Sequence, residues 1–442
     1  MYSENSKSEN HSNPKSISSM ESLLLNFSSN VFFSAQLVAF WPISIRKTQQ
    51  FEYKTLNRSL RWNRGVLISA FFLSLNLIYF VAYFKIKANE YFNYAAFIRY
   101  DLTWVIVWDS ICLVTNTSLR VYSFMKLSEF SKFFSDIVNL VECCSVFVPD
   151  SEIMESFRGI NKWARKFIWI AFSVGLVHIF CYVHQYVMKW EYKKEGGLFV
   201  AAMNVYMEVN LVCQNSHSLF LIFFIRVITF GFEVVSRGLQ RMSRVKFYQE
   251  QMTIETLQKL SDRLSAKTFS RVQQSSPSAN LQAIFHLINL LERLVNQFNS
   301  LFAPGMIAEG ILTICQLIFS VYFLHTDPRM SSDIFWAITF ITPFILFPMS
   351  FISLCHFSST LTMTCQQMLP HFEDLPFSLL SKNEDRKVQY LVTRLQTNPP
   401  VIHVWQLFKL RGSLICSAIN ALATYMVVFI QMRDLHKSRY AG

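Results

Sequence analysis

Long apolar runs separated by short polar loops dominate the pattern of this chain. Seven stretches of roughly 20 residues, at 65–84, 102–124, 167–187, 202–230, 301–324, 334–357 and 412–431, are each long enough to cross the ~30 Å hydrocarbon layer of a bilayer. The pattern predicts an all-α membrane protein with seven transmembrane helices in one domain over residues 65–442. An eighth apolar run, at 31–45, is short, carries Pro42 and is followed by Arg46 and Lys47. It reads as an interfacial pre-helix within a segment spanning 31–64. Residues 1–30 are rich in Ser, Asn, Lys and Glu and lack the apolar core of a signal peptide, which predicts a disordered cytosolic tail.

Lys and Arg fall asymmetrically between the spans. The tail and the second, fourth and sixth loops hold about 28 of them, against about 10 in the other loops and the C-terminus, and positive loops stay on the cytoplasmic side during insertion. The N-terminus is therefore expected inside and the C-terminus outside. The sequons at Asn10, Asn26 and Asn57 all fall on the expected inner side, where they would remain unglycosylated.

The short outer loops put most of the non-membrane mass in the cytosol. Helices are expected there at about 233–300, interrupted near Ser275–Ser278, and at 401–410 after Pro399 and Pro400. Together they would form a cytosolic anchor layer. Ile284, Leu287, Leu291, Leu294 and Phe298 recur every three to four residues, an apolar stripe that needs a partner helix within the subunit or across an interface.

Composition sharpens this picture without changing it. The chain is 52% hydrophobic and 16% charged, with 43 Phe, and its net charge of +12 sits in loops beside apolar runs. That placement fits membrane topology and anionic lipid, so no nucleic-acid partner is expected. The nine Cys show no CxxC or Cys/His metal spacing, so neither a metal site nor a cofactor is implied.

Ionisable and aromatic residues at membrane depth are candidates for function. The orientation places Trp104, Trp108 and Asp109 of the second span, His178 and His184 of the third, Glu208 of the fourth, Tyr322 of the fifth and Trp336 at the start of the sixth in the outer half. Their convergence predicts a small-molecule pocket open to the outside; helix capping and an interfacial aromatic belt are the competing explanation. Arg226 and Glu309 also fall within spans and receive no role. No Lys lies inside any span, which excludes a retinal Schiff base in the bundle.

The last span begins with small and polar residues and contains Thr424, Tyr425, five apolar residues and Gln431. Here the chain resembles the insect gustatory receptor family, whose mark in the last helix is Thr-Tyr, five apolar residues, then Gln-Phe; Met432 replaces the final Phe. The resemblance extends to the inverted topology, the pre-helix ending at Pro42, the long inner loop and the segment before span seven. It implies a ligand-gated, non-selective cation channel in the plasma membrane of sensory neurons, a homotetramer or a hetero-oligomer with related receptors. Gln431 and Leu435 would then form the gate, with Thr424 on the same face as Gln431 and Tyr425 behind it. The run Asn398–Trp405, the Phe content and Phe335–Trp336 resemble the nematode branch, which includes light- and hydrogen-peroxide-sensing members. That resemblance implies Trp336 as an ultraviolet absorber, with Trp104 and Trp108 beside it; an ordinary aromatic contact in a chemical pocket remains the alternative.

A seven-helix receptor signalling through G proteins is a competing class, opposed by the absence of Asp-Arg-Tyr after span three and by Asn398-Pro399 lying before span seven. An intramembrane enzyme could draw on His178, His184, Glu208 and His217, but no His-Glu-x-x-His spacing occurs, and no enzymatic activity is expected.

Overall fold

A computed structural model describes residues 70–71, 73–82, 85, 96–188, 197–251, 277–326, 332–375 and 381–440. The expected tail and pre-helix, with their sequons, lie outside the described residues. The chain is almost wholly helical: α1 (Leu73–Ala82), α2 (Ala96–Met125), α3 (Leu127–Ser145), α4 (Asp150–Met188), α5 (Gly197–Gln251), α6 (Pro277–Thr326), α7 (Ile334–Met368), α8 (Pro370–Glu373), α9 (Lys382–Thr397) and α10 (Gly412–Tyr440). Between α9 and α10 lies an antiparallel hairpin of β1 (His403–Val404) and β2 (Phe408–Lys409).

Among the described residues, four helices are long and apolar enough to cross a membrane, over Ser151–Cys181, His217–Ser243, Asn280–Leu324 and Phe344–Glu373, with shorter apolar segments at Leu73–Ala82 and Gly412–Val428. α4 leaves Trp169, Ile170, Phe172, Leu176, Val177 and Phe180 each at least half exposed. So large an apolar face belongs in lipid rather than water. α5 is its opposite: the apolar window within His217–Ser243 is 89% buried, so this helix is the central post.

At one end of the bundle the helices pack into a tight base that takes in much of His217–Ser243 and the first half of Asn280–Leu324. α3 inserts Phe130, Phe133, Ile137, Leu140, Val141 and Cys144 at helical spacing into that base. The ring of Phe133 meets Phe224 edge-on at 5.1 Å and Phe302 at 5.5 Å, and Phe298 lies 4.7 Å from Phe302. Much of the phenylalanine content serves this packing. Gly231 lets α5 approach closely, because a Cβ there would lie 2.5 Å from Leu291 Cδ2 and 3.1 Å from Leu140 Cδ1. At its margin Asp136 accepts from Arg293 at 3.3 Å and Gln297 at 2.9 Å, tying α3 to α6, while Arg237 of α5 pairs with Glu152 of α4.

All five residues of the predicted stripe, Ile284 to Phe298, are fully buried, and their partners are α3 and α5 of the same chain. The helix expected near residue 280 runs on through Pro304 into span five as the 50-residue α6. One expectation is corrected. Residues 401–410 form the hairpin rather than a helix. Pro399 and Pro400 cannot donate the hydrogen bonds of a helical turn, and β-branched Val401, Ile402 and Val404 favour extended backbone. Asn299 of α6 then clamps the strand, donating from Nδ2 to the Val401 carbonyl at 2.9 Å and accepting from His403 N–H at 3.1 Å. The turn is tight, with Trp405 and Gln406 both at positive φ, 45° and 61°.

The helix preceding the hairpin is α9, opened by a capping box in which Ser381 and Glu384 satisfy each other's backbone N–H groups. It docks through Val388, Leu391 and Leu395, and its Arg394 Nη2 reaches Glu292 Oε2 at 2.6 Å.

Candidate functional site

α2 and α6 run antiparallel, in register from Tyr122, whose hydroxyl reaches the Ser300 carbonyl at 3.5 Å, to Trp108, which stacks on Phe319 at 5.7 Å and 21°. Fourteen residues of helix separate these contacts on α2, about 20 Å along the axis. At the end remote from the base the two helices part around a cavity of about 160 Å³, lined by Val107, Trp108, Ile111, Cys315, Ile318, Phe319 and Tyr322. None of these side chains is charged, and aromatic faces dominate. Such a site takes an uncharged, ring-bearing guest by shape and dispersion rather than by ion pairing.

Of the residues the sequence nominated, Trp108 and Tyr322 meet in this cavity, buried at 6% and 3% exposure. Asp109 is half-buried on α2 and His178 is buried on α4, and neither is among the lining residues. Trp336 is half-buried in the first turn of α7, where Asp333 caps the helix by accepting from Phe335 N at 3.1 Å and Trp336 N at 3.3 Å. It does not line the cavity either. His184 stacks on Phe335 at 4.2 Å, joining the ends of α4 and α7. The side chains of Trp104 and Glu208 lie outside the described residues.

Sequence reasoning passed over Ile111, Cys315, Ile318 and Phe319. The clue available was spacing: 315, 318, 319 and 322 fall on one face of a helix whose antiparallel neighbour presents 107, 108 and 111.

Polar residues next to the cavity are tied to one another. Asn76 of α1 is fully buried; it accepts from the Tyr206 hydroxyl at 2.5 Å and donates to Thr117 Oγ1 at 3.4 Å, linking α1, α5 and α2. Deeper in the bundle, Glu309 of α6 is fully buried with Ser218 of α5 beside it, and Gly305 one turn earlier makes room for the His217 ring. Arg226 lies over two rings, 5.4 Å from the centroid of Trp163 and 5.1 Å from that of Phe357. That cation–π arrangement lets a guanidinium remain among apolar helices.

The second feature is α10. It packs against α6, α7 and α2, yet Ser413, Ser417, Asn420, Thr424 and Gln431 are all exposed. At 100° per residue these five lie within about 60° of arc, and Leu435, 63% exposed, continues the line. Tyr425 lies about 100° from Thr424 and is also exposed, at 56%. Hydroxyls in the stripe are partly satisfied internally, Ser417 donating to the Ser413 carbonyl at 3.2 Å and Thr424 to that of Asn420 at 3.0 Å. A polar line along an apolar helix is disfavoured against lipid and suits water or another helix.

The fold is similar to that of the insect olfactory receptor OR5 from Machilis hrabei, at a TM-score of 0.64 and 11% identity over 92% of this chain and 98% of that one. The structure of the same receptor in complex with eugenol gives a TM-score of 0.62 at 10% identity, covering 93% of this chain and 99% of that chain. No curated protein sequence matches. A family profile described as 7tm chemosensory receptor matches residues 31–436. With nearly the whole chain matched, and an apolar cavity set in a bundle of membrane-length helices, this multi-pass membrane protein belongs to the 7tm chemosensory receptor family.

Proposed function

We propose that the protein is a ligand-gated cation channel assembled from several copies of the chain, most simply four, with α10 of each copy lining a shared pore. The observation that carries this reading is the exposed polar line Ser413, Ser417, Asn420, Thr424 and Gln431. One copy alone would turn these groups toward lipid, whereas a ring of copies turns them toward a water-filled axis. Gln431 and Leu435 then form the narrow part, and the +12 net charge, concentrated in even-numbered loops, keeps the N-terminus in the cytosol. Seven crossings under this orientation put the cavity between α2 and α6 in the outer half of the membrane.

The stimulus is a small, uncharged, ring-bearing molecule that enters this cavity. Its uncharged aromatic lining supports that choice, as does the eugenol-bound state of a structurally similar receptor. Because α6 touches both α2 and α10, a guest that separates α2 from α6 acts directly on a neighbour of the pore helix.

The test is whole-cell current in cells expressing this chain alone, across a panel of small aromatic volatiles and at several ionic compositions. Gln431→Ala is expected to change conductance or cation selectivity, and Trp108→Ala to shift the dose-response without altering single-channel conductance. Currents identical in Gln431→Ala and the native protein would refute the pore assignment.

A further inference from the structure

A second cavity, of about 290 Å³, lies in the base between α6, the end of α9 and the hairpin that leads into α10. It differs in kind from the first. Its walls include Glu292 and Asn296 of α6, Arg394 of α9, and His403 and Lys409 of the hairpin. His403 and Lys409 are cross-strand partners in the β1–β2 register, which brings an imidazole and an ammonium to one place.

The hydrogen-bonding state of these groups leaves mostly donors facing the space. His403 Nδ1 accepts from the Gln406 N–H at 3.3 Å, so in the neutral ring the proton sits on Nε2, which is a donor. Arg394 commits Nη2 to Asn289 Oδ1 at 3.1 Å and Glu292 Oε2 at 2.6 Å, while its Nε is buried with no hydrogen-bond partner among the described residues. Lys409 adds three further N–H groups and is exposed, and Asn296 adds an amide. Two cations against the single Glu292 carboxylate leave the walls one charge positive. Two acceptors in the walls are already used, Asn299 Oδ1 by His403 N–H and the Val401 carbonyl by Asn299 Nδ2.

From this we infer that the cavity between α6, α9 and the hairpin binds a phosphate-type anion. A compact oxyanion fits the volume, meets the unused Arg394 and His403 donors together, and balances the excess positive charge. Its source is either free phosphate or the phosphorylated headgroup of a lipid, since the hairpin ends three residues before α10 enters its apolar run. The cytosolic placing of the cavity rests on the orientation proposed above; binding itself does not. Bound there, the anion would bridge the long α6 to the strand that leads into the pore helix.

The experiment uses the full chain purified in a nonionic detergent, free of anionic lipid. Radiolabelled inorganic phosphate is one probe and a water-soluble inositol bisphosphate headgroup the other. The expected result is saturable binding of at least one probe, weakened tenfold or more by Lys409→Gln and by His403→Gln, with Arg411→Gln as a control that leaves it unchanged. Thermal melting of each anion-free variant confirms folding. Comparable binding of both probes identifies free phosphate as sufficient, and binding of the headgroup alone identifies the lipid. No saturable binding of either probe, or binding equally strong in both cavity variants, overturns the inference. Channel currents are not needed for this readout, so it stands or fails separately from the proposed function.

Discussion

Asn299 offers the sharpest quantitative test of how the base is held to the hairpin before α10. Its side chain, 4% exposed, makes two hydrogen bonds to the same extended strand, at 2.9 Å to the Val401 carbonyl and 3.1 Å to the His403 N–H. Asn299→Ala removes both and leaves a buried carbonyl and N–H unpaired. Each of the two groups left unsatisfied costs about 1–3 kcal/mol, so a total of about 2–6 kcal/mol is expected. Asn299→Asp retains an acceptor for His403 N–H but sets a buried carboxylate against the Val401 carbonyl, so its loss should be at least as large. The assay is equilibrium unfolding of the purified receptor in detergent, comparing native, Asn299→Asp and Asn299→Ala. A second expected effect is a shifted dose-response of the ligand-evoked current, because the clamped strand β1 pairs with β2, which runs into α10. Unfolding of Asn299→Ala within 0.5 kcal/mol of native would refute the clamp.

Gly231→Ala places a methyl group 2.5 Å from Leu291 Cδ2, and overpacking of this kind costs about 1–3 kcal/mol; adding Leu291→Ala should recover part of the loss in the same unfolding assay, and failure to do so would locate the strain elsewhere. Burial, and then the nearby Lys409, hold the His403 imidazole below its ordinary pKa of 6.5. The unfolded chain therefore binds a proton that the folded one does not, so the stability owed to neutral His403 is complete above about pH 6.5 and declines on acidification below it; His403→Gln should flatten that slope in melting curves from pH 7.5 to 5. Cys416 is exposed beside the polar line of α10, whereas Cys144 is fully buried in α3 with its thiol pushed well above the usual range by that burial. A charged methanethiosulfonate reagent should react with Cys416 and reduce the current, Cys416→Ser should abolish that sensitivity, and Cys144 should remain unlabelled in mass spectra of the folded protein.

Helix positions were readable because the apolar run is set by bilayer thickness, and the stripe from Ile284 to Phe298 was readable because period 3.6 marks a buried face. α3 was not anticipated: it carries Ser, Lys, Asp and Glu between its buried residues and so has no apolar run of membrane length. The hairpin was missed because its extended form depends on Asn299, about 100 residues away in sequence. Within the cavity, rotation about each helix axis could not be read from the apolar runs. Trp108 and Asp109 share a depth yet point about 100° apart, so one lines the cavity and the other does not. Ile318 and Cys315 carry no chemistry that would single them out; only the facing helix gives them a site.

The uninterrupted length of α5 and α6, 55 and 50 residues, has a mechanical consequence. Each is a rod of about 75–83 Å, and one close approach between them lies at Gly231 and Leu291, in the base. From Leu291 to Phe319 is 28 residues, a lever arm of about 42 Å. A rocking of about 3° about that fulcrum displaces the cavity wall by about 2 Å, the breadth of a methyl group, while the packing beneath hardly shifts. In the proposed channel the base would be the mounting against which small guests lean, and softening it would blunt the response even with every cavity residue intact.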